Sequence, residues 1–169
     1  MKRVTWFLFA ALMVVPAGVR AASTADVGKI VTWVEKTSTH DRRVLQRYDG
    51  RIEREHLRVT MVVIPLAGNH YTLTADTSIP FDPERSFLAI SFQPSGKRRP
   101  ATQVLDMGQN GTVEDGGTWN EKDEVEKRLV TERQGLKVRG EEYRPYWQQR
   151  YDTEVDRILG FIERRGKKP

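Results

Sequence analysis

Three histidines, His40, His56 and His70, are the side chains best suited to proton transfer or metal binding near neutral pH. His40 precedes Asp41, His56 follows Glu55 with Glu53 close by, and His70 follows Asn69. Neither His-x-x-x-His nor His-Glu-x-x-His occurs, so the common helical zinc signatures are missing. The histidines read as surface residues; an enzyme would have to assemble them with Asp41 in three dimensions. Ser38, Ser78, Ser86, Ser91 and Ser95 have no Gly-x-Ser-x-Gly elbow around them. Ser95, in Pro94-Ser95-Gly96, reads as a turn residue. The chain has no Cys, which removes thiol catalysis, disulfides and Cys-ligated zinc. No catalytic residue, metal ligand or cofactor site is assigned on this basis.

The stretch Asp106 to Glu114 invites a calcium reading. Asp106, Asn110, Gly111 and Val113 match the first, fifth, sixth and eighth positions of an EF-hand loop. Gly108 and Gly117 occupy the third and twelfth positions, where oxygen ligands are required. A tight hairpin turn at Asn110-Gly111 accounts for the same residues with fewer demands.

Two basic clusters, Lys97-Arg98-Arg99 and Arg164-Arg165-Gly166-Lys167-Lys168, suit an acidic partner, an anionic headgroup or a polyanionic envelope polymer. They lack the interleaved aromatics of a single-strand nucleic-acid surface. Tyr143, Tyr146, Trp147 and Tyr151 fall close together near the C-terminus. Trp147 and Tyr151 become core if their helix packs, and anchors if it projects. Packing is preferred, because the stripe continues through Ile158 and Ile162. Tyr143, Tyr146 and Trp147, with Lys97, Arg98 and Arg99, are the candidate interaction residues.

The first 21 residues carry an address. Lys2 and Arg3 precede an apolar run from Val4 to Val15, Pro16 and Gly18 break it, and Val19-Arg20-Ala21 follows. A basic end, a short apolar core and a small-x-small exit describe a cleaved secretory signal, with Ala22 as the new N-terminus. The run is too short for a spanning helix, which takes roughly 20 residues. Of 28 Lys and Arg, three leave with this leader and none of the 23 acids does, so the formal charge falls from +5 to +2. That balance gives little reason to expect nucleic acid. The expected location is periplasmic or secreted, with no membrane span after cleavage.

Periodicity then places the elements. Val27, Ile30, Val31 and Val34 follow helical spacing after Asp26, a possible cap, although an extended arm fits residues 30–34 as well. From Arg43 to Leu105 the pattern is mainly β, with an expected hairpin at Asp49-Gly50 and the strongest strand from Leu57 to Ile64. Val59, Met61 and Val63 line one face of that strand, while Val62 and Ile64 make the other apolar too. His70 to Ala75 and Phe87 to Phe92 supply further strands, and Thr102 to Leu105 another. Asp123–Lys127 and Glu124–Arg128 are spaced four apart, so Trp119 to Arg133 reads as an exposed helix ended by Gln134-Gly135. Trp147, Tyr151, Val155, Ile158 and Ile162 form the best amphipathic helix, with Gly166 as its stop.

Residues 57–116 resemble the bacterial pre-peptidase C-terminal β-sandwich. The shared order is a strand at Val59 to Ile64, a turn at Ala67-Gly68, Tyr71-Thr72-Leu73-Thr74, Phe81-Asp82-Pro83, and Phe87 to Gln93 followed by Pro94-Ser95-Gly96. Lys97-Arg98-Arg99 stands where that family usually carries an acidic segment. The resemblance implies a sandwich and a non-catalytic module.

The expected protein is mainly β with α. A signal peptide (1–21) precedes a single β-sandwich-like domain (22–116), a charged helical C-terminal segment (117–166) and a basic tail (167–169). The expected function is non-enzymatic binding or assembly in the bacterial envelope, with an envelope protein or an anionic envelope polymer as partner. The alternatives are a hydrolase assembled from dispersed residues and a small-ligand carrier with its cavity inside a β-barrel.

Overall fold

Ser23 starts the first helix. Its hydroxyl lies 3.2 Å from the Asp26 amide and 2.6 Å from the Asp26 carboxylate, which also accepts from the Ser23 amide. This is a capping box with Asp in the third helical position. Asp26 therefore reciprocates the cap, and Ser23 is the capping residue. The Ser23 hydroxyl is the main cause holding the Asp26 carboxyl below its usual range. The computed structural model describes residues 20–40, 46–52, 55–76, 86–122, 124–131 and 138–166. Most of the leader, Asp41, the Asp-Pro step at 82–83, the break at 134–135 and the tail at 167–169 lie outside them.

Helix α1 (Thr24–His40) is followed by eight strands. These are β1 (Gln46–Ile52), β2 (Glu55–Leu66), β3 (Asn69–Asp76), β4 (Phe87–Pro94), β5 (Ala101–Met107), β6 (Asp115–Trp119), β7 (Val125–Thr131) and β8 (Val138–Arg139). A 3-10 turn, Glu141–Tyr143, runs into α2 (Arg144–Gly166). The strands form one open antiparallel sheet in the order of the sequence.

One continuous cross-strand row carries the core: Val62 pairs with Leu73, Leu73 with Ile90, Ile90 with Val104, Val104 with Gly116 and Gly116 with Leu129. Paired residues share a face, so this row and its neighbours Ile64, Tyr71 and Phe92 turn toward both helices. Helix α1 contributes Val27, Ile30, Val31 and Val34; α2 contributes Trp147, Tyr151, Val155 and Ile158. Both expected helical stripes are the buried ones. The core begins at Ala22.

The structure corrects five expectations. Among the described residues the protein is α/β, with two helices on one face of one sheet, not a sandwich of two sheets. The strands that carry the family resemblance are three consecutive strands of that sheet. Asp49-Gly50 lies within β1, because the β1–β2 register runs on to Ile52 opposite Glu55. The exposed helix expected from Trp119 contains β7, and the boundary expected after Gly116 falls within β6. Asn110-Gly111 sits in a seven-residue connection, 108–114, not a two-residue turn.

Polar groups bolt α2 to the sheet. The buried Tyr71 hydroxyl donates to Glu154 Oε2 at 2.6 Å, and Arg150 and Arg157 pair with Glu154 Oε1 at 3.2 and 3.0 Å. Burial first, then the Glu154 carboxylate, pushes the Tyr71 pKa up to about 12, so Tyr71 remains a proton donor at neutral pH. The Trp147 indole donates to the Lys127 carbonyl, and its ring lies on the bare backbone of Gly116. A Cβ on Gly116 would fall 2.5 Å from Trp147 Cδ2. Gly116→Ala is therefore expected to destabilise the fold by about 1–3 kcal/mol, since Trp147 has packed neighbours on its other side. Thermal melting, with a red shift of tryptophan emission, checks this.

Candidate functional site

Sheets covered by helices on one side usually turn polar on the other. This one does not. Met61 pairs with Thr74, Thr74 with Ala89, Ala89 with Leu105, Leu105 with Asp115 and Asp115 with Val130. That row crosses six strands on the face turned away from α1 and α2. A second row holds Val63, Thr72, Ser91, Gln103 and Gly117. Phe87 and Met107 pair beside the first row, and Trp119 and Val125 beside the second. Apart from buried Ala89 and Gly117 and exposed Gln103, the residues of these rows and pairs are half-buried.

A bulge positions the aromatic side chain at one margin of this face, at the end of β6. Thr118 pairs with Glu126 and Gly116 with Leu129, so Gly117 opposes two residues of β7, Lys127 and Arg128. Lys127 takes the left-handed conformation there, with φ of 49°. The extra residue sends Leu129 into the core and Val125 to the open face. The Trp119 ring then covers Gly117, whose missing side chain leaves room for it: a Cβ there would meet Val125 Cγ1 at 2.9 Å and Trp119 Cη2 at 3.6 Å. Gln103, Leu105, Asp115 and Trp119 enclose a depression of about 50 Å³. Burial pushes the Asp115 carboxyl upward, against the opposing charge of Arg128. The site therefore combines an aromatic plate, aliphatic neighbours, an amide and one partly desolvated carboxylate. Such a set can bind, but it holds no nucleophile paired with a base.

The residues expected from sequence are placed elsewhere. Trp147 is 1% exposed and belongs to the core, which overturns its reading as an interaction residue. Tyr143 is half-buried against the core. Tyr146 is 47% exposed, with its ring edge-on to Trp147 at 4.9 Å and the Lys127 ammonium 5.0 Å above it. Lys97 and Arg98 are exposed in the β4–β5 turn and Arg99 is half-buried there. The tyrosines and the basic turn thus sit on separate elements.

His56 and His70 lie far apart along the sheet. His56 lies near one end of β2, whereas His70 pairs with Pro65 near the other. Nine residues of strand separate those positions, about 30 Å at the usual rise. The Asp106 loop is occupied by its own backbone. Asp106 accepts from the Asn110 amide at 3.0 Å, the Gly111 amide at 2.9 Å and the Tyr151 hydroxyl at 2.6 Å. Those donors use the oxygens a calcium ion would need. Among the described residues, no group of three His, Asp or Glu side chains is placed to hold a metal.

A second depression, of about 700 Å³, runs between α1 and the end of α2. Trp33 and Phe161 meet edge-on across it at 6.0 Å, and Arg164 and Arg165 line its rim. The Arg165 guanidinium lies 5.0 Å from the Phe161 ring.

No family model, curated protein or solved structure matches the chain. Among the described residues, no helix is long and apolar enough to cross a membrane.

Proposed function

We propose that this chain is an exported, non-enzymatic binding protein that presents the face of its sheet turned away from α1 and α2 to another protein of the bacterial envelope. The observation that carries this reading is the row from Met61 to Val130, apolar at four of its six positions on the face away from both helices. Its composition favours a protein over an acyl chain. Met and aromatic side chains alternate with neutral polar groups, as at the centre of protein interfaces, where charged residues are depleted. Thr72, Thr74, Ser91 and Gln103 offer hydrogen bonds that a lipid tail would leave unmet. The leader at the N-terminus supports export.

Trp119 is the expected anchor, since a half-buried tryptophan beside an aliphatic row is the kind of side chain that concentrates binding energy. A photo-crosslinking residue at position 105, used in intact cells, is expected to yield one protein adduct of defined mass. Trp119→Asp should weaken that capture at least about tenfold while leaving the sheet spectrum intact. A lipid adduct would favour the carrier reading. Adducts at Tyr146 or Arg98 but not at position 105 would move the interface to the residues suggested by sequence.

The groove beside Trp33 supports a second reading, an anionic envelope polymer. Arg164 and Arg165 line its rim, and Lys29 and Lys36 line the adjoining depression on α1. Binding there would weaken steeply with salt, whereas the sheet face would respond little.

A further inference from the structure

The point where the export leader would end coincides with a seat built into the fold. The Ala22 nitrogen donates to Asp152 Oδ1 at 3.0 Å. Asp152 is only 7% exposed, and its other named partner is the neutral amide of Gln148, at 3.0 Å. That amide also donates to the Gly111 carbonyl at 2.8 Å, while its oxygen accepts from the Val113 amide at 2.9 Å. Gly111 closes the other side: a Cβ there would fall 2.5 Å from the Ala22 carbonyl oxygen. Thr24 donates to the Asn110 carbonyl at 3.2 Å. Ala22 is thus wedged between the 108–114 connection and α2, whereas Arg20 and Ala21 are exposed.

The surroundings are acidic. Asp26 on α1, Asp106 at the end of β5, Glu114 in the connection and Asp152 beside Tyr151 on α2 face this region; the cations there are Arg20 and Lys29, both on Asp26, and Arg144 of α2, which donates to the Val113 carbonyl at 2.7 Å and opposes Glu114. Among the described residues no Lys or Arg pairs with Asp152. A nearly buried carboxylate served by neutral donors gains most from a cation placed against it.

We propose that hydrolysis of the Ala21–Ala22 peptide bond, after the small-x-small exit, gives Ala22 an α-ammonium that forms a buried ion pair with Asp152. This inference rests on the export reading. In the step, water adds across the amide under a peptidase selecting small residues. Ala21 leaves as a carboxylate, and Ala22 keeps the nitrogen as an ammonium. The cleaved chain gains two N–H donors and a positive charge at the acidic seat. It gives up the Arg20–Asp26 pair, in which Arg20 is 73% exposed, and such pairs contribute little.

Two recombinant chains test the seat, one beginning at Ala22 and one retaining Ala21 as its first residue. Each is made with Asp152 and with Asp152→Asn, and melted between pH 6 and 10. An α-amine ordinarily titrates at about 8. The ion pair raises that value in the folded state, so its stabilisation is complete below about 8 and lost as pH rises through the folded value. The Ala22 chain is expected to melt about 2–4 °C above the Ala21 chain at pH 6, to lose that advantage by pH 10, and to lack it with Asp152→Asn. Equal profiles for the two starts, or the same loss from Asp152→Asn in both, would overturn the ion pair. The mass of the protein recovered from the envelope tests the cleavage separately, and an N-terminus other than Ala22 would overturn that step.

Discussion

Ending the chain after Gly140 is expected to leave an unfolded polypeptide, although every strand would still be present. The deleted helix supplies Trp147, Tyr151, Val155 and Ile158, each 1% exposed or less. Burying side chains of this size contributes about 1.5–3 kcal/mol apiece. Their joint loss is comparable with the 5–15 kcal/mol that separates folded from unfolded domains. Removal would also uncover the row from Val62 to Leu129 and strip Glu154 from the buried Tyr71 hydroxyl. The core face of the sheet would then have only α1 to cover it. Circular dichroism should show no cooperative melt, and the truncated chain should aggregate. A folded, monomeric product would mean that α1 and the sheet suffice, and that α2 is an appendage. Ending the chain after Gly116, at the expected domain boundary, should fail for the same reason and would also cut β6 and remove β7.

How much of this was legible from sequence differs by element, and the differences have physical causes. Helix α2 was legible because Trp147, Tyr151, Val155 and Ile158 repeat at the helical period and nothing between them breaks it. Strand β2 was legible on both faces: Val62 and Ile64 announce the core, and Val59, Met61 and Val63 announce an apolar surface behind it. Strand β7 was hidden. Its charges are spaced four apart, and a regular strand would turn Val125 and Leu129 to the same face. The bulge at Lys127 breaks that parity, and nothing in the local residue types announces it. The open-face row was hidden for a different reason. Met61, Leu105 and Val130 meet only through the register of six strands, and a single strand does not encode its neighbours' alignment. Asp106 stands out in the sequence because its spacing fits both an EF-hand start and a turn, and the turn is the cheaper reading. Its spacing to Asn110 and Gly111 is real, but those residues supply backbone donors to the carboxylate rather than oxygens to a cation.

Those contacts point to the second large effect. Asp106→Ala should be among the most damaging single substitutions in the protein, and Asp106→Asn much milder. The Asp106 carboxylate is fully buried and joins three elements: the end of β5, the 108–114 connection and Tyr151 of α2. Alanine would leave the buried Tyr151 hydroxyl and two backbone amides without an acceptor. At about 1–3 kcal/mol for each unsatisfied group, the loss would be roughly 3–6 kcal/mol after partial rescue by water. Asparagine keeps one carbonyl oxygen and should lose about 1–2 kcal/mol. The pH dependence separates the charge from the hydrogen bonds. Burial outweighs the donors, chiefly the Tyr151 hydroxyl, and raises the Asp106 pKa above its ordinary value of 3.8. A carboxyl with a raised folded-state pKa takes up its proton more readily in the folded chain. Its contribution to stability therefore grows as pH falls from the raised value toward 3.8, and the ionised form carries the cost above that window. Asp106→Asn removes this titration, so the variant should lack the acid-side gain while other carboxyls, such as Asp26 with its lowered pKa, pull the other way in both proteins. The decisive quantity is the difference between the wild-type and Asp106→Asn curves in denaturant melts below neutral pH. A difference that widens in favour of the wild type on acidification supports a desolvated, strained charge at the junction of sheet and helix. A constant difference would mean that its three donors fully compensate the buried carboxylate.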